Sequence, residues 1–201
     1  MKSIESQIFD NIEASGRGSI VFPSDFIAIA DYKAVAKSLE RLTAKGFLLR
    51  LARGIYYYPI IDSELGLGIL MPSVEEIASK IAMRDHARIA PAGNYALNKL
   101  GLSTQIPMNF VYLTDGSNRV INLDGGQSIQ FRRTSPKNLA FTNQLASLIT
   151  VSLKEIGAQN LSDELVYHIQ QILKHESYNN VKPDIPLMPV WIQSIVKQAY
   201  A

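Results

Sequence analysis

The chain has 201 residues, of which 47% are hydrophobic and 19% are charged. This composition excludes a disordered chain, and the length is enough for one or two domains with cores of their own. Cysteine is absent, which excludes disulfides, thiolate metal sites, iron–sulfur clusters and a cysteine nucleophile. The formal net charge of +2 excludes the strongly basic composition of a histone-like protein.

The N-terminal segment does not have the pattern of a secretory signal. Glu5, Asp10 and Glu13 interrupt the apolar region that such a signal needs. The longest apolar stretch, Leu65–Met71, contains glycine and is far shorter than the roughly 20 residues of a membrane-spanning helix. We therefore predict a cytoplasmic protein with no membrane partner.

The first 60 residues predict a helix, a short strand, two further helices and a hairpin, in that order. This is the order of a winged helix-turn-helix domain. Asp31 is the predicted N-cap of the third helix, and Gly46 ends that helix. The predicted elements are a helix over 3–14, an extended piece over 20–22, a short helix after Pro23, a helix over Tyr32–Ala44, and strands Phe47–Ala52 and Ile55–Tyr58 around an Arg53-Gly54 turn.

The rest of the chain predicts a larger mixed domain. A glycine-bearing linker over 61–71 precedes a domain over 72–201, so the predicted fold class is α+β with an N-terminal winged helix-turn-helix. Ser73 and Glu76 form a capping box for a helix that ends near Arg84. The other predicted elements are a helix over Pro91–Leu100, strands over 110–113, 119–123 and 128–132 joined by turns at Asp115-Gly116 and Asp124-Gly125-Gly126, and helices near 138–156, 162–175 and 188–200.

Positive charge is concentrated in one segment. From Tyr32 to Arg53 the chain has six Lys/Arg and one Asp/Glu, a charge of +5 against −3 for the remainder. On the predicted helix, Lys33, Lys37 and Arg41 fall within about 80° of one another. Apolar residues occupy nearly the opposite side: Val35, Leu39 and Leu42. The helix is therefore expected to pack one side in a core and to present a row of cations on the other.

This segment is interpreted as a DNA-binding surface. The predicted DNA-binding residues are Lys33, Lys37, Arg41, Lys45, Arg50 and Arg53. The first two lie nearest the start of the recognition helix and are suited to guanine edges in the major groove. The next two are suited to phosphates, and the two arginines belong to the wing. If four to six of these cations neutralise phosphates, log K is expected to fall against log[salt] with a slope of about −4 to −5.

Two simpler interpretations stay open at this point. A charged helix face is often only solvated, although the charges here do not alternate in sign and continue into the hairpin. RNA would also attract these cations, but the sequence shows no aromatic stacking platform, because Tyr56, Tyr57 and Tyr58 are consecutive and cannot share one face.

The same residues resemble a known family. The N-terminal segment resembles that of AbiEi-like antitoxins of type IV toxin–antitoxin and abortive-infection systems, and the whole chain is similar to the DUF6088 branch of that group. Beyond Pro72 the resemblance depends on the segment Ile89–Leu97 and on the strand Phe110–Thr114. The N-terminal residues that carry it are Gly18–Phe22, Asp25-Phe26, Ala34-Val35, Leu39, Arg41-Leu42, Gly46, Arg50–Tyr56 and Pro59.

The resemblance implies a DNA-binding autorepressor and antitoxin. In the family, the winged helix represses its own operon at inverted repeats in the promoter, and the C-terminal domain counters a nucleotidyltransferase-like toxin. The implied partners are double-stranded DNA and, functionally, that toxin. The resemblance does not imply a stable complex with the toxin, and it assigns no toxin-neutralising residue.

No catalytic, cofactor or metal site is predicted. His86, His168 and His175 do not form a known catalytic motif, and Asp115 and Asp124 are each followed by glycine, which is typical of turns. Arg132-Arg133 would suit an anionic ligand or RNA, but such pairs are more often solvated. The chain is therefore predicted not to be an enzyme. The alternatives are a regulator with a ligand-sensing or dimerising C-terminal domain, and a nuclease-like enzyme targeted by a winged helix.

Overall fold

The computed structural model describes residues 2–201, and over that range it has eight α-helices and three β-sheets. The chain is a mixed α+β protein, as predicted. Its helices are α1 (Ile4–Ala14), α2 (Tyr32–Ala44), α3 (Val74–Arg84), α4 (Gly93–Lys99), α5 (Gln144–Ile156), α6 (Asp163–Lys174), α7 (Tyr178–Val181) and α8 (Val190–Ala199). Its strands are β1 (Ile20–Val21), β2 (Leu49–Ala52), β3 (Ile55–Tyr57), β4 (Ile60–Asp62), β5 (Gly68–Leu70), β6 (Ile89–Ala92), β7 (Asn109–Thr114), β8 (Arg119–Asn122) and β9 (Ser128–Arg133). None of the helices within residues 2–201 is long and apolar enough to cross a membrane.

The chain divides into two compact units. The first contains the residues up to Ile81 together with Ile121–Gly126, and the second contains Ala82–Val120 and Gln127–Ala201. The predicted domain limits of 1–60 and 72–201 stay a prediction, because this division does not define which segments fold independently.

The first unit packs α1 and α2 against a three-stranded sheet of order β1-β3-β2. The predicted bounds of α2 are confirmed, and so is its cap, because the Asp31 carboxylate accepts a hydrogen bond of 3.0 Å from the Ala34 N–H. The core between the helices and the sheet is apolar, and its fully buried members are Ile8, Ile12, Val35, Leu39 and Leu48.

A second hairpin lies where the sequence indicated a linker. β4 and β5 pair antiparallel, with Ile61 opposite Ile69. The Asp62 carboxylate accepts hydrogen bonds from the N–H groups of Glu64 and Leu65 and so closes the connecting loop. The sequence signal was weak because the strands are only three residues long and their apolar residues are exposed.

The outer edge of β2 is occupied by a segment from much later in the chain. The Asp124 N–H donates to the Leu51 carbonyl at 2.8 Å. Since β2 is an edge strand of its sheet, this bond satisfies a main-chain acceptor that would otherwise face solvent. Residues 121–126 are therefore part of the first unit, although they follow it by 40 residues or more.

The second unit contains a four-stranded sheet of order β6-β7-β9-β8. β7 pairs antiparallel with β6 and parallel with β9, so Leu113 lies opposite Arg132 and Thr114 opposite Arg133. The three predicted strands are confirmed, but the turn at Asp115-Gly116 does not join neighbouring strands, because β9 lies between β7 and β8.

One predicted helix, over Pro91–Leu100, is wrong at its start. Residues Ile89–Ala92 form strand β6, and α4 begins only at Gly93. β6 is an edge strand, where a proline is tolerated because its missing N–H faces away from the ladder. Gly93 has a φ of 57°, which glycine adopts without steric cost and which turns the chain from the strand into the helix.

The C-terminal helices enclose the main core of the second unit. α5 begins at Gln144 rather than near 138, because Asn143 is its N-cap and accepts a 2.9 Å hydrogen bond from the Ala146 N–H. The buried Asp184 carboxylate fixes this cap by accepting hydrogen bonds from the N–H groups of Thr142 and Asn143. The fully buried core residues from α5, α6 and α8 are Ala146, Ile149, Leu153, Ile169, Leu173, Ile192 and Val196.

Candidate nucleic-acid interface

Helix α2 separates its apolar and basic residues as predicted. Leu39 is fully buried, while Lys33, Lys37 and Arg41 are all exposed. Because the buried side chains anchor the helix against α1 and the sheet, the lysines contribute little to the core. Their charges are available to a partner in solution.

The hairpin adds two arginines at its solvent side. β2 and β3 are joined by the two-residue turn Arg53-Gly54, in which Gly54 has a φ of 73°. Arg50 and Arg53 are exposed. The turn is tight, so the hairpin presents its cations close to the sheet rather than on a long loop.

A buried tyrosine links the helix to the hairpin. Burial raises the pKa of the Tyr56 phenol above its usual value, the charge of Glu40 raises it further, and the charge of Arg50 partly offsets both effects. Tyr56 is thus within electrostatic reach of Glu40 on α2 and of Arg50 on β2. The exposed Glu40 therefore adds an acidic charge among the basic residues of α2.

Two of the predicted DNA-binding cations are engaged by an acid that sequence analysis missed. Lys45 forms an ion pair with Glu5 of α1, and Arg41 Nη1 lies 4.0 Å from the other oxygen of the same carboxylate. Glu5 is forty residues before Lys45, and only the packing of α1 on α2 brings them together. The signal available in the sequence was the position of Glu5 in the first turn of an amphipathic helix, which does not identify its partner.

The other four predicted cations are unpaired. Lys33, Lys37, Arg50 and Arg53 make no ion pair with any other residue between 2 and 201. We call these four residues the free basic set. Unpaired, exposed cations on one surface are those that gain most from a polyanion, because no intramolecular contact is lost on binding.

The aromatic residues of the hairpin do not add a stacking surface. Tyr56, Tyr57 and Tyr58 are all buried, with at most 7% of each side chain exposed. The Tyr57 hydroxyl donates to the Leu70 carbonyl at 2.8 Å and is thereby occupied within the protein. The hairpin tyrosines therefore offer no rings for unstacked bases, and the exposed aromatic side chains near the cations are Tyr32 and Phe47.

The residues considered for catalysis are exposed or serve local structure. His86, His168 and His175 are all exposed. The Asp115 carboxylate accepts hydrogen bonds from the backbone N–H and the guanidinium of Arg88, and these bonds hold the pKa of Asp115 below its usual range. Among residues 2–201, no three or more His, Cys, Asp or Glu side chains lie close enough together to hold a metal ion.

Fold and surface together define a mixed α+β protein with an exposed basic helix and hairpin. The model of a family of unknown function, DUF6088, matches residues 7–181, so the chain belongs to that family. This confirms the predicted similarity to DUF6088, whereas the wider resemblance to AbiEi-like antitoxins stays a prediction. No curated protein matches the chain.

One solved structure is similar over nearly the whole chain. The crystal structure of the RV2827C protein from Mycobacterium tuberculosis superposes with a TM-score of 0.52 and 15% sequence identity, and the match covers 99% of this chain and 78% of that one. At this identity the likeness shows a shared fold and nothing about activity.

Proposed function

We propose that this protein is a DNA-binding autorepressor and antitoxin of a type IV, AbiE-like toxin–antitoxin operon. In this proposal the first unit is a winged helix-turn-helix, α2 is its recognition helix and the β2–β3 hairpin is its wing. The observation that supports it best is the free basic set, four exposed and unpaired cations on the helix and hairpin. The proposed partner is double-stranded DNA at inverted repeats in the operon's own promoter.

The positions of the cations favour different DNA contacts for those on the helix and those on the hairpin. Lys33 and Lys37 lie in the first half of α2, where a recognition helix reaches base edges in the major groove and the phosphates beside them. Arg50 and Arg53 would hold the flanking backbone. Arg41 and Lys45 would contribute less than sequence alone predicts, because Glu5 competes with phosphate for both.

The antitoxin role is supported by the resemblance of the N-terminal residues to AbiEi-like antitoxins. We propose that the second unit counters a nucleotidyltransferase-like toxin without forming a lasting complex and without catalysis of its own. If so, repression and toxin neutralisation depend on different surfaces.

The direct test is binding of the purified protein to the DNA upstream of its own gene over a salt series. With four free cations neutralising phosphates, the slope of log K against log[salt] should be about −4. A shuffled DNA of equal length and composition is the control for sequence specificity. Equal affinity for both DNAs, or a slope near zero, would contradict the proposed repressor role.

Replacing Glu5 by glutamine is expected to strengthen DNA binding. The change releases Arg41 and Lys45, so the salt slope should steepen by about 1 to 2. Filter binding or fluorescence anisotropy at several salt concentrations measures both quantities.

Asp10→Asn is the matched control for Glu5→Gln. Asp10 also lies on α1 and pairs with Lys2, which is outside the proposed surface. If Asp10→Asn strengthened binding as much as Glu5→Gln, the gain would come from net charge alone and the local competition argued for Glu5 would be wrong.

A further inference from the structure

The second unit has a basic cavity that the proposed DNA interface does not use. It has a volume of about 250 Å³ and lies between β9, the segment after it, and α5. This is near the lower end of the roughly 300–1,000 Å³ of small-molecule sites. Its lining includes Arg132, Arg133, Asn138, Phe141, Lys154 and Glu155.

The cavity lies at the carboxyl ends of two parallel strands. β7 and β9 run parallel and end side by side, with Thr114 opposite Arg133. In sheets with parallel strands, ligands characteristically bind just beyond these carboxyl ends. The position thus favours a binding site independently of the charges around it.

The cations at this cavity lack carboxylate partners. Arg132, Arg133 and Lys154 make no ion pair with any residue in the range 2–201. The Lys154 ammonium donates a hydrogen bond of 3.1 Å to the Oδ1 of Asn138, which is a neutral amide. Partial burial, and then the nearby charge of Lys137, lower the pKa of Lys154. An anion bound beside Lys154 would stabilise the charged form of that side chain.

One wall of the cavity is apolar, which favours more than a bare ion. Leu113 and Val151 are buried side chains that line the cavity together with the partly buried Phe141. A second cavity of about 350 Å³ is also lined by Arg132 and Glu155. A ligand with a phosphate at one end and a flat organic group at the other matches this arrangement.

We propose that this cavity binds a phosphate monoester on a small organic group, the chemistry of a mononucleotide. Arg132, which lies opposite Leu113 on the α5 side of the sheet and lines both cavities, holds the phosphate together with Lys154, and the apolar wall contacts the organic group. Glu155 lies at the same cavity and opposes the anion, which limits the affinity.

The test is titration of the full-length protein with adenosine monophosphate, adenosine and inorganic phosphate by calorimetry or by NMR chemical shifts. Adenosine monophosphate should bind about tenfold more tightly than either of the others, because only it makes both kinds of contact. The Arg132→Gln/Lys154→Gln variant should lose about tenfold in affinity for the nucleotide. Lys174→Gln/Lys197→Gln removes two exposed lysines elsewhere in this unit and should not change binding.

A third variant separates a binding role from a structural one. Glu155→Gln should raise nucleotide affinity several-fold, a gain that disturbed folding does not produce. The proposal is overturned if adenosine binds as tightly as adenosine monophosphate, if phosphate alone binds as tightly, or if Glu155→Gln weakens binding. These measurements contain no DNA, so their outcome is independent of the proposed repressor function.

Discussion

Replacing Lys33 and Lys37 by alanine is expected to weaken binding to upstream DNA by about tenfold or more at physiological salt, and to make the salt slope shallower by about 2. Both lysines are exposed, and neither makes an ion pair within residues 2–201. The variant should therefore keep the stability of the native protein, since the buried side of α2 is unchanged. Anisotropy titrations over a salt series measure the affinity and the salt slope, and urea denaturation measures the stability.

The matched control for the two lysines is Lys174→Ala/Lys197→Ala. It removes the same charge from exposed positions on α6 and α8. Only the loss specific to Lys33 and Lys37 supports α2 as a recognition helix. An equal loss in both variants would show that the protein attracts DNA by net charge, and the assignment of α2 would fail.

The lysine variant also separates the two proposed roles. If the second unit counters the toxin, Lys33→Ala/Lys37→Ala should lose repression of a promoter fusion and still rescue growth when produced with the toxin. Loss of rescue in a stably folded variant would contradict the proposal that the two roles use different surfaces.

Replacing Asp184 by alanine is expected to destabilise the protein by about 3 kcal/mol or more. Its carboxylate is 1% exposed and accepts hydrogen bonds from Thr142 N–H, Thr142 Oγ1 and Asn143 N–H, the last at 2.7 Å. Its loss leaves these partly buried donors without their acceptor and frees the residue that caps α5. The midpoint of urea denaturation measures the effect, and Tm should fall by roughly 6–12 °C for a chain of this size.

An exposed acid near the start of a helix provides the comparison for Asp184. Asp163 lies in the first turn of α6 and is exposed, so Asp163→Ala should cost less than about 1 kcal/mol. If Asp184→Ala cost no more than Asp163→Ala, Asp184 would not organise the start of α5.

Local signals in the sequence were sufficient for the elements that carry their own caps. Asp31 caps the start of α2 and Gly46 follows its end, so both ends of this helix have a signal in the local sequence. The Ser73–Glu76 capping box forms as predicted, with the Glu76 carboxylate accepting a hydrogen bond from the Ser73 N–H at 2.7 Å. The basic face of α2 follows from helical periodicity once those ends are known.

The features that sequence analysis missed depend on contacts between distant segments. The predicted helix over Pro91–Leu100 takes in the end of β6, because the strand character of β6 comes from pairing with β7, twenty residues later along the chain. The presence of Arg132 and Lys154 at one cavity requires the parallel register of β7 and β9 and the packing of α5, neither of which has a local signature. Glu5 was missed for the same reason, since the identity of an ion-pair partner is fixed by helix packing.

The bond between Asp124 and the edge of β2 has a consequence for synthesis of the chain. A ribosome that has released the first 60 residues has produced α1, α2 and the three strands, but not the segment that covers Leu51. Until residue 124 emerges, β2 exposes an unpaired main-chain edge, which is a template for pairing with another nascent chain. A fragment ending at residue 60 should therefore be more prone to self-association than the whole protein, even if its helices fold normally.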